Sequence, residues 1–370
     1  MQGKLKARLW AFYLPQFHPI PENDKWWGEG FTEWTNVRKA KPLFPGHHQP
    51  VVPGELGYYD LIKQPEIRDR QASLAREYGI DGFVYWHYWF GNGKMLLEKP
   101  FAEVLRTGKP DFPFALAWAN ESWRGFAHGL DNERQVLIGQ EYPGDEDTIA
   151  HFKYVLPAFR DHRYLKIDGK PVFFVYKPKQ NPYMAHFLQH WRKLAEESGL
   201  RGIFFVGMHP SVYGKNTSFE VLSSIKGYGF DAVNVVSMFA NLKYSALIRI
   251  ARKLFRNRWI KAIPDICLWD ADCMRFCLDN NIDVIPNIGT GWDHTPRSGL
   301  NGLVKIGFTP EKFRKALADK ITMVMSKPFD RRVITIKSWN EWAEGNIIEP
   351  DKRWGRRTLE AIRDVVMERQ

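Results

Sequence analysis

Two glutamates near the C-terminus have the residue type and the spacing for acid–base chemistry. Glu341 and Glu344 lie three residues apart, beside Asn340 and Trp342, directly after the apolar run 333–336. A carboxylate without a partner costs several kcal/mol to bury, so a hydrophobic core does not call for this composition. If the chain turns helically here, the two side chains share a face, and close like charges push their pKa values apart. One would then be an acid and the other a base, as glycoside hydrolysis requires, whereas an exposed turn with two solvated glutamates is the alternative.

Further ionisable and aromatic side chains follow other apolar runs of the chain. Asn120 and Glu121 come directly after the run 114–118, an arrangement similar to the acid–base element of many barrel glycosidases. We interpret this pair either as catalytic or as substrate-binding. Trp292 and Arg297 follow a later run. An arginine near carboxylates would hold one of them ionised or bind a substrate hydroxyl, whereas a surface salt bridge is the alternative.

Aromatic and histidine side chains near the ends of the first two runs are the remaining candidates for sugar binding. Aromatic faces beside polar groups suit a sugar ring, which presents C–H faces and hydroxyl edges. A lone histidine is more often structural, so a structural role is the alternative for His18 and His87. No H-E-x-x-H spacing is present, and we expect neither a metal nor a cofactor. The candidates for substrate binding are Tyr13, His18, Trp86, His87, Asn120, Glu121, Trp292, Arg297 and Asn340.

Eight short apolar runs alternate with helix-like patterns along the chain. None of these runs alternates between apolar and polar residues, so each is expected to be a strand buried on both faces of a parallel sheet. This alternation predicts a (β/α)8 TIM barrel with long βα loops, formed as a single domain by residues 1–370. In such a barrel the catalytic residues lie at the carboxyl ends of the strands. The predicted strands cover residues 9–14, 82–86, 114–118, 172–176, 203–206, 232–236, 284–288 and 333–336.

An open, doubly wound sheet is the alternative architecture. Such a sheet normally carries a G-x-G-x-x-G sequence after its first strand, where a nucleotide binds. Here the segment 15–19 reads Pro-Gln-Phe-His-Pro, which favours the barrel. The predicted helices cover about 65–78, 95–107, 146–160, 183–198, 310–326 and 356–369.

The chain is basic, with a net charge of +11 over 370 residues. A basic surface favours anionic partners such as a membrane surface, a nucleic acid or an acidic glycan. No zinc finger or aromatic RNA-binding motif is present, so we expect no nucleic acid partner. Basic and apolar residues over 243–261 form an amphipathic helix pattern, which could rest on an anionic membrane. An outer barrel helix with a solvated basic face is the alternative.

Cysteine usage and the N-terminal segment indicate a reducing compartment. The three cysteines, Cys267, Cys273 and Cys277, are an odd number within one helix-like stretch, which does not fit a disulfide framework. We therefore expect buried free thiols. No signal peptide and no apolar span of about 18 residues is visible, so a cytoplasmic location is expected, with peripheral membrane contact as a variant.

Three segments of the chain resemble one family. The segments 12–19, 26–37 and 339–345 read FYLPQFHP, WWGEGFTEWTNV and WNEWAEG. They resemble the WbsX-like proteins of bacterial surface-polysaccharide clusters, within the wider glycoside hydrolase family 99-like group. The resemblance runs from the first predicted strand to the eighth. It implies a (β/α)8 barrel and an oligosaccharide or polysaccharide substrate.

The resemblance also implies roles for individual residues. In the hydrolases of this group, endo-acting α-mannosidases and mannanases, a Glu-x-x-Glu pair after the last strand catalyses cleavage with retention. Glu341 would deprotonate the 2-hydroxyl of the sugar, which attacks its own anomeric carbon. Glu344 would protonate the leaving oxygen and then activate water. Asn340 and Arg297 would bind the substrate.

Three functions are compatible with the sequence. The first is a retaining glycoside hydrolase that acts on α-linked mannose-like residues of a bacterial polysaccharide. The second is a glycosyltransferase of surface-polysaccharide biosynthesis, the name commonly given to WbsX-like proteins, although no nucleotide-sugar fingerprint is present. The third is a non-catalytic glycan-binding barrel. The chain also differs from the hydrolases at Ala343, where they carry histidine, and at Trp292, where a tyrosine is usual.

Overall fold

The fold was determined as a computed structural model, which describes residues 4–125, 135–210, 215–236, 261–264 and 271–368. Within these residues, eight parallel strands pair in succession around a barrel. The strands are β1 (Arg8–Tyr13), β2 (Gly82–Trp89), β3 (Phe114–Trp118), β4 (Lys170–Val175), β5 (Phe204–Pro210), β6 (Ala232–Val236), β7 (Val284–Gly289) and β8 (Val333–Lys337).

The first and last strands close the barrel. Trp10 of β1 lies opposite Gly82 of β2 on one side and opposite Thr335 of β8 on the other. Because β1 is paired along both sides, the sheet has no free edge there. The (β/α)8 barrel predicted from the alternating pattern is therefore confirmed.

Bulky side chains fill the barrel interior. Phe12 of β1 stacks on Trp86 of β2 with ring centroids 5.0 Å apart, and it meets Phe174 of β4 edge-on at 5.8 Å. Since β-strand side chains alternate between the two faces, the neighbouring residue Tyr13 points outward against the helical layer. Both faces of each strand are consequently buried, which explains why the strand sequences read as continuous apolar runs.

Helices cover the outside of the barrel. The last long helix between strands illustrates why they form: Thr309 accepts a hydrogen bond from the Lys312 backbone nitrogen at its start, and Phe313, Leu317 and Ile321 form one buried stripe. The helices are α1 (Pro21–Trp27), α2 (Glu33–Lys39), α3 (Glu66–Glu77), α4 (Lys99–Thr107), α5 (Asp145–Arg160), α6 (Met184–Glu197), α7 (Lys215–Tyr228), α8 (Ala271–Asp279), α9 (Thr295–Ser298), α10 (Pro310–Val324) and α11 (Arg357–Val366).

Short elements lie in the loops that connect the barrel strands and the helices. They are short strands and single 3-10 turns, and some of them lie at the end of the barrel where the cleft opens. They comprise the strands Met95–Leu96, Trp123–Arg124, Val136–Ile138, Lys166–Ile167, Lys261–Pro264, Leu303–Ile306, Asn340–Glu341 and Asn346–Ile347, and the 3-10 turns Pro178–Gln180, Gly299–Asn301, Phe329–Arg331 and Trp342–Glu344.

The other sequence predictions about elements have mixed outcomes. The six predicted outer helices are confirmed by α3, α4, α5, α6, α10 and α11. The predicted basic helix over 243–261 lies outside the described residues, apart from Lys261, which begins a short strand. Cys277 is a buried free thiol, whereas the side chains of Cys267 and Cys273 lie outside the described set. In the part of the chain that the structure describes, no helix has the length and apolar character needed to cross a membrane.

Candidate active site

The segment after β8 forms a tight turn that brings the two glutamates side by side. Asn340–Glu341 pairs antiparallel with Asn346–Ile347, and a single 3-10 turn lies between them. Gly345 ends this turn with a φ of 65°, and a Cβ there would come within 2.9 Å of the Asp293 backbone nitrogen. Only glycine fits this position without strain. The side chains of Glu341 and Glu344 consequently line one cleft at the carboxyl ends of the barrel strands.

Lys337, the last residue of β8, lies between the two glutamates. Its Nζ is 3.1 Å from Oε2 of Glu341 and 3.2 Å from Oε2 of Glu344. The same ammonium group lies 5.3 Å from the centre of the Trp292 ring. Burial disfavours the charge of Lys337, but the two carboxylates outweigh it and raise the pKa of the ammonium group. The two glutamates therefore share one permanently charged cation.

Arg297 makes a second cationic contact with Glu344. Its Nη1 lies 2.6 Å from Oε1 of Glu344, while its Nη2 donates to both oxygens of Glu33, at 2.8 and 3.0 Å. The Glu33 side chain is completely buried and also accepts the backbone N–H of Ala343 at 2.9 Å. Glu33 thereby fixes the orientation of Arg297 and ties it to the turn that carries Glu344.

The carboxylates at this centre outnumber the cations by one, so one carboxyl group can hold a proton without leaving a cation unbalanced. Three carboxylates, those of Glu33, Glu341 and Glu344, face two cations, Lys337 and Arg297. Burial raises the pKa of Glu341 to about 7, and repulsion from Glu344 adds to this shift although Lys337 opposes it. Burial also acts on Glu344, but Lys337 and Arg297 hold the pKa of that carboxyl well below its usual range. Glu341 is therefore the member of the pair that holds a proton below about pH 7, while Glu344 is ionised.

Side chains from other strands complete the cleft, which has a volume of about 430 Å³. Trp86 of β2 donates its indole N–H to Oε1 of Glu341 at 2.8 Å, and Tyr176 meets Trp86 edge-on at 5.5 Å. His294 lines the same cleft and is neutral near pH 7, because burial lowers its pKa to about 4. The volume is in the range of sites for small ligands or a few sugar units. The aromatic lining consists of Trp86, Tyr88, Trp123 and Tyr176.

The predicted pair Asn120 and Glu121 has two different positions: Glu121 lines the cleft, and Asn120 is buried behind it. Glu121 lines the cleft and forms an ion pair with Lys177. Asn120 is buried, and its Oδ1 accepts the Lys177 backbone N–H at 2.8 Å while its Nδ2 donates to the Lys177 carbonyl at 2.9 Å. Asn120 therefore holds the loop that presents the cation opposite Glu121.

Three other predicted substrate-binding residues lie away from the cleft, in the layer between the strands and the helices. Tyr13 is fully buried and donates its hydroxyl to Oε1 of Gln71 at 2.7 Å. The Nε2 atoms of His87 and His151 are 2.8 Å apart, and burial lowers the pKa of His87 to about 3. His18 is buried with its Nδ1 3.1 Å from the carbonyl of Pro15, and burial lowers its pKa as well.

Asn340 and Trp292 border the cleft without lining it. Asn340 is fully buried, and its side-chain amide pairs with the backbone of Leu14, accepting the N–H at 2.7 Å and donating to the carbonyl at 3.0 Å. Trp292 lines a second cavity of about 590 Å³. The hydrogen bond from the Asp293 backbone N–H to the Glu344 carbonyl, at 2.7 Å, lies between this cavity and the cleft.

The sequence pattern did not indicate Lys337, although it contacts both glutamates. A lysine at the end of an apolar run is typical of a strand end that reaches solvent, and here its side chain turns back into the cleft instead. Glu33 is a weaker candidate from sequence, for which a salt bridge to an arginine or lysine is the alternative, and the structure pairs it with Arg297. Among the described residues, those that converge closely enough to hold a metal ion are Asp145, His186 and His190, which lie outside the cleft.

Two solved structures share this barrel architecture. One, a glycoside hydrolase-like protein, aligns over 100% of this chain and 96% of its own, with a TM-score of 0.61 and 14% identity. Another, the family 99 endo-α-mannosidase from Bacteroides thetaiotaomicron, aligns over 98% of both chains, with a TM-score of 0.56 and 16% identity. At these identities the similarity establishes the shared fold.

Sequence comparison then gives the family. The chain belongs to the family described as Glycosyltransferase WbsX, which matches residues 9–362. It is 34% identical over 369 residues to the WxcX proteins of two strains of Xanthomonas campestris pv. campestris, covering 98% of this chain. The chain spans 50% of the length of these curated relatives. It is thus a member of a family of carbohydrate-active enzymes, with a barrel like that of glycoside hydrolase family 99.

Proposed function

We propose that this protein is a retaining glycoside hydrolase that acts on α-linked mannose-like residues of a bacterial polysaccharide. The observation that carries the proposal is the pair Glu341 and Glu344, which contact one Lys337 ammonium group in an aromatic-lined cleft. Two carboxyl groups with separated pKa values are what acid–base cleavage of a glycosidic bond requires. The barrel similarity to a family 99 endo-α-mannosidase supports the choice of sugar.

In the proposed reaction, Glu341 removes the proton from the 2-hydroxyl of the sugar whose bond breaks. The 2-oxygen attacks its own anomeric carbon while Glu344 gives its proton to the departing glycosidic oxygen. Glu344 then takes a proton from water, whose oxygen attacks the anomeric carbon and opens the three-membered ring. Glu341 returns its proton to the 2-oxygen. Each displacement inverts the anomeric carbon, so the product retains the configuration of the substrate.

This division of roles requires the shared proton to lie on Glu344 once the sugar is bound. In the free protein the raised pKa of Glu341 keeps the proton on that residue. Both carboxyl groups contact the Lys337 ammonium group, so the proton has only a short distance to move between them. When a sugar hydroxyl displaces the Lys337 ammonium group from Glu344, the pKa of Glu344 rises and the proton moves to it.

A glycosyltransferase is the second candidate, because the matched family carries that description. The same pair could pass the sugar from a glycan donor to the hydroxyl of another glycan instead of to water. In that reaction the acceptor hydroxyl loses its proton to Glu344, in the place of the water proton. Calorimetric binding of a GDP-sugar or a UDP-sugar would instead favour transfer from a nucleotide donor.

Digestion of α-mannan-type polysaccharides, followed by mass spectrometry, tests the activity. We expect shorter oligosaccharides from the wild-type protein, and NMR should detect the α-anomer first. Larger products that incorporate an added acceptor would support the transferase. Glycans that bind in calorimetry without giving any product would contradict both enzymes and support a binding barrel.

Glycosyl fluorides separate the roles of the two glutamates. Fluoride leaves without protonation, so Glu344→Gln should still release fluoride from an α-mannosyl fluoride in the first step while it loses cleavage of the polysaccharide. Its turnover of the fluoride should then depend on an added nucleophile such as azide, because Glu344 no longer activates water. Glu341→Gln should lose both, because the 2-hydroxyl is no longer deprotonated. Retention of fluoride cleavage by Glu341→Gln alone would reverse the assignment, and normal turnover by both variants would exclude this pair as the catalytic centre.

A further inference from the structure

A second cluster of titratable side chains lies on two outer helices, away from the cleft. Asp145 begins α5, and His186 and His190 lie on α6. One ligand atom from each of the three residues lies within 4.8 Å of the others. Asp145 and His186 also line a cavity of about 350 Å³, whose described lining residues are distinct from those of the cleft. The proposed glycosidase chemistry does not use this cluster.

The helix geometry aligns the two histidines. Residues four apart on an α-helix lie on the same face, one turn above the other, so the rings of His186 and His190 point the same way. A neighbouring face of α6 is fixed against α5, because Trp191 donates its indole N–H to the carbonyl of Thr148 at 3.0 Å. Thr148 belongs to the first turn of α5, directly beyond Asp145. This contact fixes the two helices that carry Asp145 and the histidines, while the side chains of Asp145 and His186 are exposed.

The distances within the cluster suit a small cation. Nε2 of His186 is 2.7 Å from Oδ1 of Asp145, and Nδ1 of His190 is 3.4 Å from the same oxygen. That Nδ1 is shielded from solvent and makes no hydrogen bond to any described residue. Ligand atoms of a tetrahedral zinc site, with bonds of about 2.0–2.1 Å, lie about 3.3 Å apart. Small side-chain rotations would bring all three atoms to that separation.

We propose that Asp145, His186 and His190 form a binding site for a divalent transition metal ion, Zn²⁺, which links α5 to α6. Two imidazole nitrogens and a carboxylate oxygen are ligand types that zinc accepts, whereas Mg²⁺ and Ca²⁺ prefer oxygen ligands alone. The fourth position of the ion faces the solvent at the edge of the neighbouring cavity. The ion acts as a cross-link between two outer helices and leaves the glycoside cleft unchanged.

Calorimetric titration of the tag-free, full-length protein with ZnCl₂ tests this site. We expect saturable binding, a melting temperature that rises with Zn²⁺ concentration, and visible absorption of tetrahedral Co²⁺ when cobalt replaces zinc. MgCl₂ should give no such shift. Removal of a ligand in His186→Ala or His190→Ala should weaken Zn²⁺ binding by at least about tenfold, because loss of even an outer partner of a ligand costs that much.

His162→Ala is the matched control, since His162 is exposed and near two aspartates, and no other described histidine belongs to that group. This variant should bind Zn²⁺ like the wild-type protein. The absence of saturable binding by the wild-type protein would overturn the proposal. Equal binding by the wild-type protein and both α6 variants would overturn it too, because the ion would then be held elsewhere. This test measures metal binding and thermal stability, not hydrolysis, so its outcome does not depend on the proposed function.

Discussion

Glu341 and Glu349 are two of the buried carboxyl groups that follow β8, and their surroundings differ. Burial raises the pKa of Glu341 and of Glu349 to about 7 in both cases. Glu349 accepts hydrogen bonds from three neutral donors, the hydroxyl of Tyr59 at 2.9 Å, the amide of Gln71 at 2.6 Å and the indole of Trp342 at 2.6 Å. Its carboxyl group thus cross-links α3, the preceding loop and the turn after β8.

Glu341 has partners of another kind. It contacts the Lys337 ammonium group, which it shares with the Glu344 carboxyl, and it lines the cleft. A raised pKa therefore does not by itself distinguish a catalytic carboxyl group from a structural one. The difference lies in a second carboxyl group that can exchange a proton and in a cation that balances the pair, because Glu349 also lines a cavity, the one beside Trp292.

Replacement of Glu341 and of Glu349 by glutamine should give the largest difference in activity between the two positions. Glu341→Gln and Glu349→Gln make the same chemical change, but only the first removes a group that transfers a proton. We expect kcat/KM on the polysaccharide to fall by about 10²–10⁴-fold for Glu341→Gln and by less than about tenfold for Glu349→Gln. Losses of equal size in two variants with unchanged circular dichroism would contradict the distinction.

Lys337 offers a second way to examine the pair. Lys337→Met keeps the length of the side chain and removes its charge. Because the ammonium group lowers the pKa of both Glu341 and Glu344, its loss should move both limbs of the pH profile of kcat/KM to higher pH. The wild-type profile should fall above about pH 7, where the last proton leaves the pair. We expect a loss of about 10–100-fold at pH 6 in the variant.

Lys177→Met is the matched control, since Lys177 lines the same cleft but pairs with Glu121. This variant should keep the wild-type limbs even if KM rises. An alkaline limb in Lys337→Met that coincides with the wild-type limb would mean that Lys337 does not set the protonation of the pair.

The barrel was predictable from sequence because each strand is an apolar run buried on both faces. The site was only partly predictable, since neighbouring residues at a strand end point in opposite directions. Trp86 reaches Glu341 inside the barrel, whereas the adjacent His87 faces outward to His151. A pattern that places both at a strand end cannot separate them without the register of the strand.

The other site features that the sequence did not predict are contacts between distant parts of the chain. Asn340 binds the backbone of Leu14, 326 positions away, and Arg297 binds Glu33, 264 positions away. Neither partner follows from local spacing, because the closure of the barrel brings these loops together. The motif at 339–345 indicated the catalytic candidates, but the supporting contacts of Asn340 and the cation at Lys337 required the fold.

The smallest expected effect concerns stability at Glu349. A carboxyl group whose pKa is raised on folding stabilises the folded state while it is protonated, and this contribution is lost as the pH rises through the folded pKa. For Glu349 this loss of stability occurs as the pH rises from about 4.5 to about 7. The glutamine in Glu349→Gln stays neutral, so between pH 4.5 and pH 8 the variant should gain stability relative to the wild-type protein. The gain is on the order of 3 kcal/mol, from about 1.4 kcal/mol for each pKa unit.

Urea unfolding of both proteins across this pH range measures the gain. Glu341 titrates over a similar range, but it does so in both proteins and cancels in the difference between them. Tyr59→Phe provides a control in the opposite direction, since loss of one donor to the Glu349 carboxylate should raise its pKa further and extend this loss of stability to higher pH. A difference between wild type and Glu349→Gln that stays constant with pH would show that Glu349 is ionised throughout, and the contrast with Glu341 would then rest on its partners alone.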